Sequence, residues 1–124
     1  MGDAGKTILV VDDNKDAVEL MEEILSDEGY KIVTAYSGIQ AIEQAKKNEV
    51  DLILLDLMMP DFTGMHVTLF LADLPRVVPI IIVTAWDSAE FRAWADESKQ
   101  VVDFIPKPID RADLLGKVSK ALAA

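Results

Sequence analysis

Apolar and polar positions along this chain follow two alternating periods. The first apolar run, Thr7-Ile8-Leu9-Val10-Val11, ends abruptly at Asp12-Asp13. An unbroken row of Ile, Leu and Val predicts a strand covered on both faces. Ala17, Leu20, Met21, Ile24 and Leu25 then recur at helical spacing, and Gly29 is placed to end that helix. Lys31 to Ala35 reads as a second, shorter strand. Ser37-Gly38-Ile39-Gln40 has the form of a capping box and opens a helix with Ile42 and Ala45 inward, closing near Asn48.

The alternation continues to the end. Leu52-Ile53-Leu54-Leu55 is the third strand and runs into Asp56. Met59-Pro60-Asp61 breaks the chain, and Thr63-Gly64 begins a helix through about Leu71, ended by Leu74-Pro75. Ile80 to Val83 forms a fourth strand ending at Thr84, and Asp87-Ser88-Ala89-Glu90 resembles a cap and opens a helix through about Lys99. Val101 to Ile105 is the fifth strand, and Asp110 caps a last helix with Leu114, Leu115 and Val118 inward. Five strands and five helices in strict alternation imply right-handed crossovers and a doubly wound α/β architecture, a parallel sheet with helices on both faces. No repeat, linker or shift in composition divides residues 1–124, so the expectation is one domain.

Charge and composition narrow the function classes. The formal net charge is −10. Such a surface repels phosphate backbones, which argues against direct nucleic acid binding, and it attracts cations. There are no cysteines, so disulfides, thiolate metal sites and thiol catalysis are excluded. No apolar run approaches the ~18 residues needed to span a bilayer, and Met1 to Lys6 lacks the apolar stretch of a signal peptide. The expectation is a cytoplasmic domain with no membrane segment.

In an open parallel sheet, function gathers at the carboxyl ends of the strands. Here those ends carry Asp12-Asp13, Asp56, Thr84 and, after the fifth strand, Lys107. Taken singly, each has an ordinary explanation as a turn, strand-end or surface residue. Together they form a chemically complementary set. Three neighbouring carboxylates repel one another unless a cation joins them. Oxygen-only ligands favour a hard ion such as Mg²⁺, which leaves coordination positions open to phosphate oxygens. Lys107 supplies a positive charge and Thr84 a hydroxyl for further phosphoryl oxygens. Asp56 is then the carboxylate nucleophile that would form an aspartyl phosphate.

With these residues in view, the chain resembles the receiver domains of bacterial two-component response regulators, the chemotaxis-type single-domain regulators among them. The likeness runs from Ile8 to about Leu122. It rests on Leu9-Val10-Val11-Asp12-Asp13, Asp56-Leu57-Met58-Met59-Pro60 with Gly64, Val83-Thr84-Ala85 and Lys107-Pro108. The resemblance implies a flavodoxin-like strand order 2-1-3-4-5, with Asp56 as phosphoacceptor. It implies that Asp12, Asp13, Asp56 and the backbone carbonyl of Met58 hold Mg²⁺, and that Thr84 and Lys107 contact the phosphoryl group. Thr84 and Phe104 would be the switch pair, and the Lys107-Pro108 peptide would be cis. The phosphodonor would be a phosphohistidine on a sensor histidine kinase or a histidine phosphotransfer protein. An output partner or a homodimer would use the face built from the fourth helix, fifth strand and fifth helix.

Some features depart from the family pattern. Ser98-Lys99-Gln100-Val101 replaces a Gly-Ala pair that many receivers carry before the fifth strand. Met65, Val67, Leu69, Phe70 and Leu71 cannot share one helical face, which leaves either a partner surface or local repacking. Met58 and Trp86 occupy the positions that flank the phosphoryl group and set its lifetime. Neither orients an attacking water as a carboxylate or carboxamide does, so self-dephosphorylation is expected to be slow. His66, the only histidine, and the pair Phe91 and Trp94 are assigned to packing. Two competing functions fit the residues less well. An aspartate-nucleophile phosphatase would need substrate loops that the short connections do not supply. A flavodoxin-like cofactor binder would need a phosphate-cradling loop where Asp12-Asp13 stands.

Overall fold

Three of the five strands are buried along nearly their whole length: β1 (Thr7–Val11), β3 (Leu52–Leu55) and β4 (Ile80–Thr84). The flanking strands β2 (Lys31–Ala35) and β5 (Val101–Pro106) are only partly buried. Sheet order explains the difference. In this computed structural model, which describes residues 5–56, 68, 71–85, 89–98 and 100–123, the strands run β2-β1-β3-β4-β5 and all pairs are parallel. The most apolar runs therefore take the three central positions.

Strand alternation sends side chains to two separate cores. Leu9, Val11, Ile53, Leu55, Ile80 and Ile82 pack with Ala41 and Ala45 of α2 (Gly38–Lys47) and with Leu71. Ile8, Val10, Leu52, Leu54, Ile81 and Val83 pack with Val18, Met21 and Leu25 of α1 (Lys15–Ser26). Leu114 and Val118 of α4 (Arg111–Ala123) complete that second core. The remaining described helix is α3 (Ala89–Glu97). Each fully buried Leu or Ile contributes roughly 1.5–3 kcal/mol relative to exposure.

The expected α/β class and strand order 2-1-3-4-5 are observed, with four helices among the described residues. The expected helix from Gly64 to Leu71 falls mostly outside them. Thr68 and Leu71 are helical, and the Ala72 N–H donates to the Thr68 carbonyl at 3.0 Å. Met65, His66, Val67, Leu69 and Phe70, which carry the apolar character of that helix, lie outside the described residues.

Local signals acted largely as expected. Gly29 sits at φ +90°, with its N–H donating to Ser26 O and the Tyr30 N–H to Leu25 O, the paired bonds of a left-handed helix stop. Ser37 Oγ accepts from the Gln40 N–H at 3.2 Å, while Gln40 Oε1 reaches back to the Tyr36 N–H at 2.9 Å. Asp110 Oδ2 accepts from the Asp113 N–H at 2.9 Å. Helix rotation was placed less well. Val18 takes the inward position and Leu20 is 43% exposed; Ala41, not Ile42, joins Ala45 in the core. The fourth expected helix ends at Glu97, close to the end expected near Lys99. Where the sequence departs from Gly-Ala, Ile80 pairs with Val101 but Ile81 with Asp103. Val102 is thus an extra residue in the edge strand.

Candidate functional site

The site is built where the strand ladders run one residue past the strands. The Asp12 N–H donates to Ala35 O at 3.1 Å, and the Asp56 N–H donates to Val11 O at 3.0 Å. These bonds set Asp12 and Asp56 side by side at the carboxyl edge of β1 and β3. The Lys107 N–H donates to Thr84 O at 3.0 Å, which carries the chain after β5 back toward the sheet centre. The Lys107-Pro108 peptide is cis, as expected.

The side chains converge. One carboxylate oxygen from each of Asp12, Asp13 and Asp56 lies within 4.8 Å of the others. Lys107 Nζ reaches Asp12 Oδ2 at 2.6 Å and Asp56 Oδ2 at 3.4 Å. Asp12 is fully buried, Asp56 and Thr84 nearly so, and Asp13 is exposed. The cluster is therefore open to solvent on the Asp13 side and closed beneath. Burial pulls the Lys107 ammonium toward deprotonation. The hydrogen bond it donates to Asp12 and the charges of Asp56 and Asp12 outweigh it and hold the group above its ordinary value. Lys107 is thus a cation throughout the neutral range. Three carboxylates against one ammonium leave two formal negative charges, the charge that one divalent ion balances. The all-oxygen donor set fits a hard cation.

Sequence reasoning missed one contributor. The Asn14 N–H donates to Asp12 Oδ1 at 3.0 Å while Asn14 Oδ1 accepts from the Ala17 N–H at 3.2 Å. Asn14 thus caps α1 and fixes the Asp12 carboxylate, and it brings the positive end of a helix beside the acidic cluster. An Asn directly before a helical pattern is the signal that would have found it.

Phe104 is half-buried on β5 and lines an open groove of about 330 Å³ with Thr84, Arg92 and Lys117. Met58 and Trp86 lie outside the described residues, as do the side chains of Phe91 and Trp94. Among the described residues, no helix is long and apolar enough to cross a membrane.

A parallel α/β domain with an acidic, lysine-bridged cluster at its carboxyl edge defines a class of phosphoryl-handling domains. A family model described as the response regulator receiver domain matches residues 8–119, and the chain belongs to that family, whose members are regulatory phosphoacceptors. The response regulator PleD of Caulobacter vibrioides is 41% identical over 113 residues, 90% of this chain and 25% of that protein. The chain spans about a quarter of the length of this curated relative. A CheY-like receiver domain from Methanospirillum hungatei superposes with a TM-score of 0.90 at 27% identity, covering 97% of this chain and 95% of that one. The response regulator TrrA of Thermotoga maritima, solved in complex with Mg(2+)-BeF, gives 0.82 at 34% identity, covering 94% and 99%.

Proposed function

We propose that this domain is the phospho-accepting switch of a two-component phosphorelay, with Asp56 as the acceptor. The observation that carries this is the Lys107 ammonium seated between Asp12 and Asp56, at 2.6 and 3.4 Å, beside a third carboxylate. Asp12, Asp13, Asp56 and the Met58 carbonyl would hold Mg²⁺, a reading supported by the donor chemistry and by the Mg(2+)-BeF complex of TrrA. The ion supplies charge neutralisation for phosphoryl oxygens.

In the transfer, an Asp56 carboxylate oxygen attacks phosphorus. The P–N bond to the donor imidazole breaks, the P–O bond to Asp56 forms, and the released imidazole takes up a proton. Lys107 leaves its carboxylate partners to meet the incoming phosphoryl oxygens, and the Thr84 hydroxyl donates to another. Driving a two-state equilibrium from ~1:99 to ~99:1 takes about 5.5 kcal/mol, within reach of new charge-assisted bonds from a dianionic group. Phe104 then moves inward behind Thr84.

The donor is a sensor histidine kinase or histidine phosphotransfer protein, and the domain works in the cytoplasm. Residues 1–124 form a single receiver domain, and an output partner or second copy meets the face of α3, β5 and α4. The domain assists its own slow dephosphorylation, because Met58 and Trp86 orient no water.

Incubation with acetyl phosphate and Mg²⁺, followed by intact mass, tests the central claim. A phosphoryl-sized increment should appear in the parent and be absent from Asp56→Asn. No increment in the parent, or an undiminished one in the variant, would defeat it. A phosphoryl lifetime of seconds in Mg²⁺ buffer would contradict the slow loss.

A further inference from the structure

Phe104 is gripped in two different ways. β5 is an edge strand, with a sheet neighbour on one side only. The backbone groups of Phe104 take side-chain partners instead: its N–H donates to Asp103 Oδ1 at 2.8 Å, and its carbonyl accepts from Lys117 Nζ at 2.6 Å. Lys117 is itself anchored on Asp113 Oδ1 at 3.1 Å, one helical turn back. The main chain at this position is therefore pinned by charge-assisted bonds. The ring is held more softly. It packs against the edge of the core that lies on the α2 face of the sheet, and the Arg92 guanidinium carbon lies 5.0 Å from its centroid.

We propose that Arg92 is the latch of the resting state: its stack on the Phe104 ring opposes the inward movement of that ring and so biases the domain against phosphorylation. The proposal rests on the role given above to Phe104 and adds the residue that sets its resting position. Three observations carry it. Backbone and ring are held by separate partners, so the ring can move while the strand stays. Thr84 and Arg92 line the same groove as Phe104, so the pull toward the phosphoryl site and the pull of the latch act on one side chain. A planar guanidinium also suits an aromatic face in a way that an ammonium does not. Arg92 is exposed, which keeps the attraction weak, enough to bias the resting population about two- to fivefold. Phosphorylation can override a bias of that size.

The test is the initial rate of Asp56 phosphorylation by acetyl phosphate in Mg²⁺, read by intact mass. Arg92→Ala should raise the rate about two- to fivefold, and Arg92→Lys should raise it less. In a Phe104→Leu background, which lacks the ring, Arg92→Ala should change nothing. A parent that is phosphorylated while folded Arg92→Ala reacts at the same rate or slower overturns the latch alone. So does an equal gain in the Phe104→Leu background. If Arg92→Ala does not fold, Arg92→Lys carries the same criterion. A parent that takes no phosphoryl group overturns the Asp56 assignment, and the latch falls with it.

Discussion

Two aspartates tie opposite ends of the sheet, and their surroundings give them different work. Asp12 at the carboxyl edge is enclosed, with Oδ1 on the Asn14 N–H and Oδ2 on Lys107. Asp51 at the other edge accepts the Thr7 N–H on Oδ2 and Arg76 on Oδ1, each at 2.9 Å. Burial raises the Asp51 carboxyl, but the Thr7 bond and the charges of Arg76 and Lys6 prevail and hold it below its ordinary 3.8. An acid with a depressed folded value stabilises the fold above its unfolded value and loses that contribution as pH falls through the folded one. Arg76 is more than half exposed, so the ion pair adds little and the Thr7 bond most of about 1 kcal/mol. Asp51→Ala should therefore cost about that much at neutral pH, with the deficit shrinking below the usual carboxylate value. Urea midpoints across the acid range measure it, and a deficit that stays constant would refute the account.

At the scale of elements, two glycines make opposite predictions. Gly29 ends α1 at φ +90°, where a Cβ is strained, so Gly29→Ala should cost about 1–2 kcal/mol. Gly116 lies within α4, and a Cβ built there meets nothing within 4 Å. Gly116→Ala should therefore stabilise by about 1 kcal/mol. Thermal unfolding of the two variants should shift in opposite directions; shifts of the same sign would contradict the argument. Existence and order of the elements were legible because period and run length are local properties. Facing was less so. Leu20 and Val18 both fit an inward stripe on α1, and the rotation that buried Val18 came from packing on β1 and β3.

Over the whole molecule, net charge and site act together. A chain at −10 carries a cluster with two surplus negative charges, so a bound divalent ion should stabilise the fold. At a hundredfold excess over Kd the gain is about 2.7 kcal/mol. Mg²⁺ should raise the unfolding midpoint of the parent beyond an ionic-strength-matched NaCl control, and raise that of Asp13→Asn less. Equal shifts in parent, variant and control would mean general screening alone.

The amino-acid sequence by itself determined the α/β class and placed Asp12, Asp13, Asp56, Thr84 and Lys107 at or just past strand ends, while the strand order came from the family resemblance. Parallel strands joined by right-handed crossovers bring their carboxyl ends to one edge, so residues at those ends meet whatever the details of packing. Only the tertiary structure decided the rest. The tie from Asp51 to Thr7 and Arg76, the extra residue Val102 and the grip of Arg92 and Lys117 on Phe104 depend on register and helix rotation. Those are settled by contacts between residues far apart in the chain, which no local pattern encodes.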